Sequence, residues 1–468
     1  MSFRTEKDPL GEKAVPADAL YGIQTLRAVE NFPISGLRPL AAFVDAVVMI
    51  KRSAAQTHKE TGRLSPQFAD AITTAADEIL GGQHRDQFVV DPYQAGAGTS
   101  HNMNVNEVLA NRANELLGHA RGSYSPVHPN DHVNMAQSTN DVIPTAMRLA
   151  TLLTLPKLLD AMEGLAATLL AQGKAFDHIV KSGRTHLQDA TPIRLGQEFT
   201  AYGHTVARHR TKLIQAAGWL REMNIGGSAV GTGINVEAVY PALMVKHLQA
   251  LTGLELAVAE DRIQLMQSMG DIATFSGAFR AFVLDLCKIA DDIRLLASGP
   301  RTGLAEILLP AVQPGSSIMP GKVNPSIAEM VNQVCYQAIG LDTTVAMAAK
   351  AGELELNVMM PVITHNIIFG LEIVANAVRI FDEKCIRGIQ ADEARCAYWL
   401  ERSPALVTAL MPKIGYAEAA KLSKEALATG KTVRQLVTDK QVLVGKELEE
   451  ILDLRAMTEI GVPGGDSA

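Results

Sequence analysis

Three long stretches without proline restrict the fold of this chain more than any other feature. They cover residues 195–223, 261–298 and 326–352. The second stretch carries eight apolar residues at alternating steps of three and four: Ile272, Phe275, Phe279, Phe282, Leu286, Ile289, Ile293 and Leu296. This spacing predicts a long helix packed nearly parallel to other long helices. Because Val283, Leu284 and Leu295 add apolar surface beside that stripe, we expect a bundle core shared between subunits.

The length and the distribution of helix-breaking residues predict three domains within an all-α fold. A chain of 468 residues is long enough for two or three domains. Breakers are frequent before residue 138, and the helical patterns become shorter and more charged towards the C-terminus. We therefore predict smaller, mainly helical domains at 1–138 and 394–468, around a central long-helix bundle at 139–393. Pro361 is expected to kink the last long helical pattern.

Charge and cysteine content restrict the partners and the compartment. The formal net charge of −7 and the pI of about 6.0 disfavour nucleic acid as the main partner, because a basic face is its usual footprint. The four cysteines form no CxxC pair, which favours buried free thiols in a reducing compartment. The first residues are charged and lack an apolar signal core, and no uninterrupted apolar run has membrane length. We expect a soluble, cytoplasmic protein that does not bind membranes.

Four polar clusters interrupt the apolar segments. They cover residues 95–113, 128–146, 182–192 and 314–325. Each of the first three has a simpler interpretation as a helix start, because Ser, Thr, Asn and Asp are preferred N-caps and turn residues. Asparagines inside a helix, such as Asn104, Asn106 and Asn111, are harder to explain in that way, because their side chains compete with the backbone for hydrogen bonds.

The fourth cluster, PGSSIMPGKVNP, differs from a phosphate-binding P-loop in two respects. It has one residue too many between its glycines, and Val323 stands where the P-loop has Ser or Thr. It also lies between two helices, whereas a P-loop joins a strand to a helix. These differences argue against nucleotide binding.

The side chains of this loop suit a carboxylate or its enolate. Gly315 and Gly321 allow backbone N–H groups to turn towards a ligand. The remaining donors are the hydroxyls of Ser316 and Ser317, the ammonium of Lys322 and the amide of Asn324. The loop contains no Asp, Glu or Cys, so we expect neither a metal site nor a cofactor there. From the residue types alone, His186 is the strongest candidate for a general base.

PGSSIMPGKVNP resembles the signature loop of the aspartase/fumarase superfamily. The other three clusters follow in matching order and spacing, and the resemblance extends from residues 19–36 to residues 414–426. It implies a homotetramer with four active sites, each built from loops of three subunits. It also implies reversible elimination from a small amino acid or dicarboxylate through an aci-carboxylate intermediate, with release of fumarate.

The resemblance assigns roles to individual residues. Ser316 matches the catalytic base, and Lys322 would stabilise both its alkoxide and the intermediate. His186 would contact a substrate carboxylate or the side of the leaving group. Substrate-binding positions are matched by Thr99, Ser138, Thr139, Asn140, Thr185, Ser317, Met319, Lys322 and Asn324.

Within the superfamily, the sequence is most similar to the aspartase branch. QSTND at 137–141 and GAGTS at 96–100 differ from the QSSND and GSGTQ of fumarases. We therefore expect deamination of L-aspartate to fumarate and ammonia. His101, Lys350 and Met360 depart from the aspartase pattern, which leaves open a related amine-lyase with another substrate. Fumarase and a catalytically silent scaffold are the remaining alternatives.

Overall fold

A computed structural model, which describes residues 2–465, confirms the all-α class, with 62% of the chain helical. Within those residues the α-helices are α1 Ile23–Asn31, α2 Ala41–Glu60, α3 Pro66–Leu80, α4 Thr99–Leu116, α5 Thr139–Ala175, α6 Leu195–Gly218, α7 Tyr240–Thr252, α8 Arg262–Gln267, α9 Gly270–Leu296, α10 Ser326–Lys350, α11 Met360–Lys384, α12 Glu393–Arg402, α13 Met411–Thr429, α14 Val433–Asp439 and α15 Gly445–Ile451.

Short strands form four two-stranded sheets among the described residues. The strands are β1 Phe3–Asp8, β2 Gly11–Pro16, β3 Val180–Thr185, β4 Gln188–Arg194, β5 Glu222–Met223, β6 Ala257–Val258, β7 Ile307–Leu308 and β8 Gln390–Ala391. The β1–β2, β3–β4 and β7–β8 pairs are antiparallel, and the β5–β6 pair is parallel. All of these sheets are too small to form a core, so the helices provide it.

The apolar stripe predicted on α9 is buried along its whole length. Its eight residues expose at most 6% of their surface, and Val283 beside the stripe is also buried. Leu284 and Leu295 are 50% and 40% exposed in the single chain. The helix therefore retains apolar surface that its own chain does not cover.

The predicted kink at Pro361 is wrong. Helix α11 begins at Met360, so Pro361 lies in its first turn, where a backbone N–H has no helical partner in any case. Two other prolines, Pro144 and Pro156, do lie inside a helix, the 37-residue α5.

The chain divides into two compact units, each made from separate segments. The first unit contains the chain up to Leu159, together with residues 211–283 and 336–375. The second contains residues 160–210, 284–335 and the chain from Asn376 onward. The domain boundaries at 138/139 and 393/394 stay a prediction.

Two helical spans are long and apolar enough to cross a membrane by composition alone. In α5 and in the span 360–388, the most apolar windows are 78% and 61% buried inside the protein. The core helices of soluble proteins have the same property, so the two spans are weak support for a membrane role.

Candidate active site

Helix α4 begins at Thr99, one of the predicted substrate-binding positions. The residue before it, Gly98, has φ +89°, a left-handed conformation that suits glycine. A Cβ atom at Gly98 would also lie 3.1 Å from Ile143 in α5. Glycine at position 98 therefore allows the start of α4 to lie close to α5. Thr99, the first residue of α4, is exposed.

Polar residues inside α4 bind neighbouring segments. The amide of Asn111 donates to the carbonyl of Leu20 at 2.8 Å and accepts from the N–H of Gly122 at 2.7 Å. Asn102 donates to the hydroxyl oxygen of Thr139 at 3.2 Å. Within the first unit, the Asn102 amide thus connects the first polar cluster with the second.

Residues 138–141 form the N-terminal turn of α5 and are held by short local hydrogen bonds. The Ser138 N–H donates to Asp141 Oδ1 at 2.9 Å, and the Asn140 N–H donates to Ser138 Oγ at 3.1 Å. The Asn140 amide donates to the carbonyl of Ala229 at 2.8 Å. Asp141 is fully buried, and burial raises the pKa of its carboxyl to about 6. The three predicted substrate-binding positions 138–140 therefore lie together, on a turn anchored by a buried acid.

The third cluster is a β-hairpin, so its interpretation as a helix start is wrong. Thr185 pairs with Gln188, and the two residues between them, His186 and Leu187, have φ of 56° and 58°. Tight hairpin turns with two positive φ angles favour Asn-Gly, whereas this turn carries His-Leu. Such strain is often found at functional sites, and the Thr185 and His186 side chains are exposed at this hairpin tip.

A buried ion-pair group anchors the base of the hairpin. Both terminal nitrogens of Arg184 donate to the carboxylate of Glu306, each at 2.9 Å. Lys181 Nζ lies 3.2 Å from the same carboxylate, and Glu306 is fully buried. Arg184 therefore fixes the hairpin to the segment that contains Glu306. Sequence reasoning missed Lys181 and Glu306, because each stands in a stretch with no recognisable motif.

The signature loop in the second unit closes on itself through one backbone contact and one side-chain contact. The Gly315 N–H donates to the carbonyl of Lys322 at 2.8 Å, and the Asn324 amide donates to the carbonyl of Gly315 at 2.7 Å. A Cβ atom at Gly315 would lie 2.5 Å from the Lys322 oxygen, so only glycine fits. Gly321 has φ +81°. The two glycines thus serve the geometry of the loop, and the Gly315 N–H, which we expected to turn towards a ligand, instead binds the Lys322 carbonyl.

The Ser316 hydroxyl is held by two backbone donors. The N–H groups of Ile318 and Met319 point at Ser316 Oγ, at 3.2 and 2.9 Å. Donors aimed at one oxygen favour negative charge on it, so an alkoxide formed at this position would be stabilised by the two N–H groups.

Three other side chains of the loop are open to solvent, whereas Asn324 is half-buried. Ser317, Met319 and Lys322 are exposed, and Met319 exposes half of its surface. Lys322 forms no ion pair with any residue of the described chain. Among residues 2–465, no group of three or more His, Cys, Asp or Glu side chains is arranged to hold a metal ion.

The three residues that depart from the aspartase pattern lie in different environments. His101 is buried in α4 and stacks on Phe43 with ring centroids 4.5 Å apart. Burial lowers the pKa of its imidazole to about 3, so the ring is neutral at pH 7. Lys350 is exposed at the end of α10, whereas Met360 is fully buried at the start of α11.

The predicted site residues are divided between the two compact units. Thr99 and residues 138–140 belong to the first unit, and Thr185, His186 and the signature loop belong to the second. Within the first unit, the Asn102 and Asn106 amides join the first polar cluster to the second through three hydrogen bonds, to Asn134 and Thr139. Within the second unit, Thr185 and His186 lie at the tip of the hairpin, and the remaining predicted residues lie in the signature loop.

Comparison with known families and proteins shows what the whole chain is similar to. Residues 11–340 match the family described as Lyase, and residues 406–459 match the fumarase C C-terminus. The chain is 48% identical to aspartate ammonia-lyase of Bacillus subtilis, over 99% of this chain and 97% of that protein. It is also 48% identical to the class II fumarate hydratase of Halobacterium salinarum, over 99% of both.

A solved structure has the same fold. It is described as fumarate lyase:delta crystallin from Brucella melitensis bound to cobalt, and it superposes with a TM-score of 0.94. Its sequence identity to this chain is 48%, and the superposition covers 98% of this chain and 100% of that one. The family matches, the full-length relatives and the shared fold lead to one conclusion. This chain is a member of the aspartase/fumarase superfamily of lyases.

Proposed function

We propose that this enzyme converts L-aspartate reversibly to fumarate and ammonia. Ser316, as its alkoxide, removes a proton from the carbon next to the β-carboxylate. The electron pair moves into that carboxylate and forms the aci-carboxylate intermediate. The intermediate then collapses, the bond from the α-carbon to nitrogen breaks, and ammonia leaves with fumarate as the second product. No metal or cofactor takes part in this scheme.

The contact geometry of Ser316 is the observation that carries this proposal. A serine is a weak base unless its alkoxide is stabilised, and two backbone N–H groups already donate to Ser316 Oγ. Backbone donors keep their geometry during the reaction, so no reorganisation is needed when charge develops. This arrangement suits proton abstraction next to a carboxylate.

The remaining site residues bind the substrate and its developing charge. The Lys322 ammonium stabilises the doubly negative intermediate more than the substrate, which is the requirement for a faster reaction. The Asn324 amide retains a second N–H beyond its bond to Gly315. His186 faces a carboxylate or the leaving ammonia. Thr99, Ser138, Thr139, Asn140, Thr185, Ser317 and Met319 complete the substrate pocket.

Hydration of fumarate is the second candidate, because a class II fumarate hydratase is as similar to the chain as an aspartate ammonia-lyase is. We favour the aspartase reaction for two reasons. The 137–141 segment reads QSTND, and several full-length relatives with 43–49% identity are named aspartate ammonia-lyase. A different amine substrate is the third candidate.

A side-by-side assay with L-aspartate and L-malate tests the proposed reaction. We expect fumarate, followed by its ultraviolet absorbance, and an equal amount of ammonia from aspartate alone. Activity on malate alone would establish the hydratase instead. A folded protein inactive on both would point to another amine, and His101, Lys350 and Met360 would then be the first positions to exchange.

We further propose that the enzyme is a cytoplasmic homotetramer whose active sites each draw on three subunits. Its uncovered apolar and uncharged helix surface supports the assembly. Leu284 and Leu295 are exposed on α9. On α10, the exposed residues between the ends are uncharged: Gln333, Tyr336, Gln337, Gly340, Thr343, Ala346 and Met347. The cysteines Cys287, Cys335, Cys385 and Cys396 are buried and unpaired, which suits a reducing compartment.

The assembly predicts both a mass and a complementation result. Light scattering should give four times the chain mass of 50.2 kDa. Because the loop and the 138–140 turn of one site would come from different chains, co-expressed Ser316→Ala and Thr139→Ala chains should regain part of the activity that each lacks alone. A monomer, or mixed tetramers without recovery, would contradict shared sites.

A further inference from the structure

We propose that Lys51, a buried lysine of α2, is a positioning residue that holds the 134–138 turn and thereby the substrate-binding positions Ser138–Asn140. The inference rests on the proposed function. Lys51 does not contact the substrate in this scheme, and acts through the turn that precedes α5.

The side-chain nitrogen of Lys51 is bound by two side chains of that turn. Its Nζ donates to Asn134 Oδ1 at 2.8 Å and to Gln137 Oε1 at 2.9 Å. Lys51 is fully buried, and lysine is among the residues least often found inside proteins. Removing a charge from water is costly unless other groups compensate, so a buried lysine with these contacts indicates a specific role.

The turn is strained and depends on side-chain contacts. Ala136 has φ 57°, a left-handed conformation that is uncommon for residues with a Cβ atom. The side-chain amide of Gln137, which follows Ala136, donates to the carbonyls of Val133 and Met135, which precede it, both at 3.1 Å. The His58 ring lies 3.0 Å from the same Met135 carbonyl. A conformation of this kind persists only where surrounding contacts impose it.

The Asn134 side chain joins Lys51 to the polar residues of α4. Its Oδ1 accepts from Lys51, from Asn102 at 3.3 Å and from Asn106 at 3.2 Å. Asn102 also donates to the hydroxyl of Thr139. Lys51 donates to a side-chain oxygen of both Asn134 and Gln137, so its loss would remove one donor from each of them.

Asp141 is a buried acid at the other end of the segment. Its carboxylate accepts from the N–H groups of Ser138, Gly226 and Ser228, at 2.9 to 3.0 Å. The contacts of buried Lys51 and buried Asp141 therefore lie on either side of residues 138–140. Loss of the Lys51 donor should let the turn relax and should move the substrate-binding groups.

The test compares Lys51→Met with Arg52→Met in the full-length enzyme. Methionine has nearly the same length as lysine but no donor. Arg52, the next residue of α2, pairs with Asp77 at the surface and does not touch the turn. We expect Lys51→Met to raise the KM for aspartate at least tenfold and to change kcat by less than threefold. Arg52→Met should leave both constants unchanged.

A purely structural lysine would give a different result. Lower thermal stability with an unchanged KM, or a fall in kcat alone, would overturn the inference. If Lys51→Met does not fold, Lys51→Gln carries the test, because glutamine keeps a donor with a shorter reach. It should raise KM at least threefold, and an unchanged KM would overturn the proposal. Wild-type enzyme inactive on both aspartate and malate would instead refute the proposed function, and this inference with it.

Discussion

Replacement of Ser316 by alanine should lower kcat about 10²–10⁴-fold, the usual contribution of a positioned general base. The substitution removes the oxygen that would take the proton, and leaves the N–H groups of Ile318 and Met319 without an acceptor. Because the loop is exposed, those two donors can bind water, so the tetramer and its melting temperature should be unchanged. Steady-state fumarate formation measures the loss.

Ser326→Ala is the matched control for Ser316→Ala. Ser326 is a neighbouring serine whose hydroxyl donates to the Asn324 carbonyl at 3.3 Å, outside the proposed proton path. Its activity should stay within a few-fold of wild type. If Ser316→Ala retains a tenth of the wild-type kcat, Ser316 is not the base. His186, the candidate favoured by residue type alone, would then be tested next.

Replacement of Lys322 by methionine should lower kcat/KM about 10²–10³-fold, comparable with the loss of one oxyanion donor. The proposed role predicts a rise in KM and a fall in kcat together. The ammonium binds a carboxylate of the substrate, and it binds the doubly negative intermediate more strongly. Lys322 is exposed and has no ion-pair partner in the described chain. Its loss should therefore leave the free energy of unfolding unchanged.

Lys384→Met provides a matched loss of charge at the end of α11. Lys384 is also exposed, but it lies outside the loop and the hairpin. Its kinetic constants should equal those of the wild type. A Lys322→Met enzyme that melts at a lower temperature but reacts at the normal rate would assign Lys322 a structural role.

The long helices were predictable because their signal is local and repeated. The steps of three and four on α9 placed eight residues on one stripe, and all eight are buried. The predicted kink at Pro361 was also wrong for a local reason, because periodicity could not locate the helix boundary at Met360. Only that boundary distinguishes a first-turn proline from an interior one.

The parts of the candidate site that sequence reasoning missed depend on distant contacts. The 182–192 cluster gave no hairpin signal, because its turn carries His-Leu where Asn-Gly is usual. Arg184 and Glu306 are 122 residues apart, and Lys51 and Asn134 are 83 apart. In sequence, Lys51 is one of two adjacent basic residues in α2, and nothing local marks it as the buried one.

The backbone origin of the donors at Ser316 affects how the enzyme can diversify. Every residue except proline supplies an N–H, so positions 318 and 319 can accept many side chains without losing the contacts to the serine oxygen. The side chains of Ile318 and Met319 are exposed in the single chain. Descendants of such a loop can therefore acquire new substrate preferences while they inherit the same proton-abstraction chemistry.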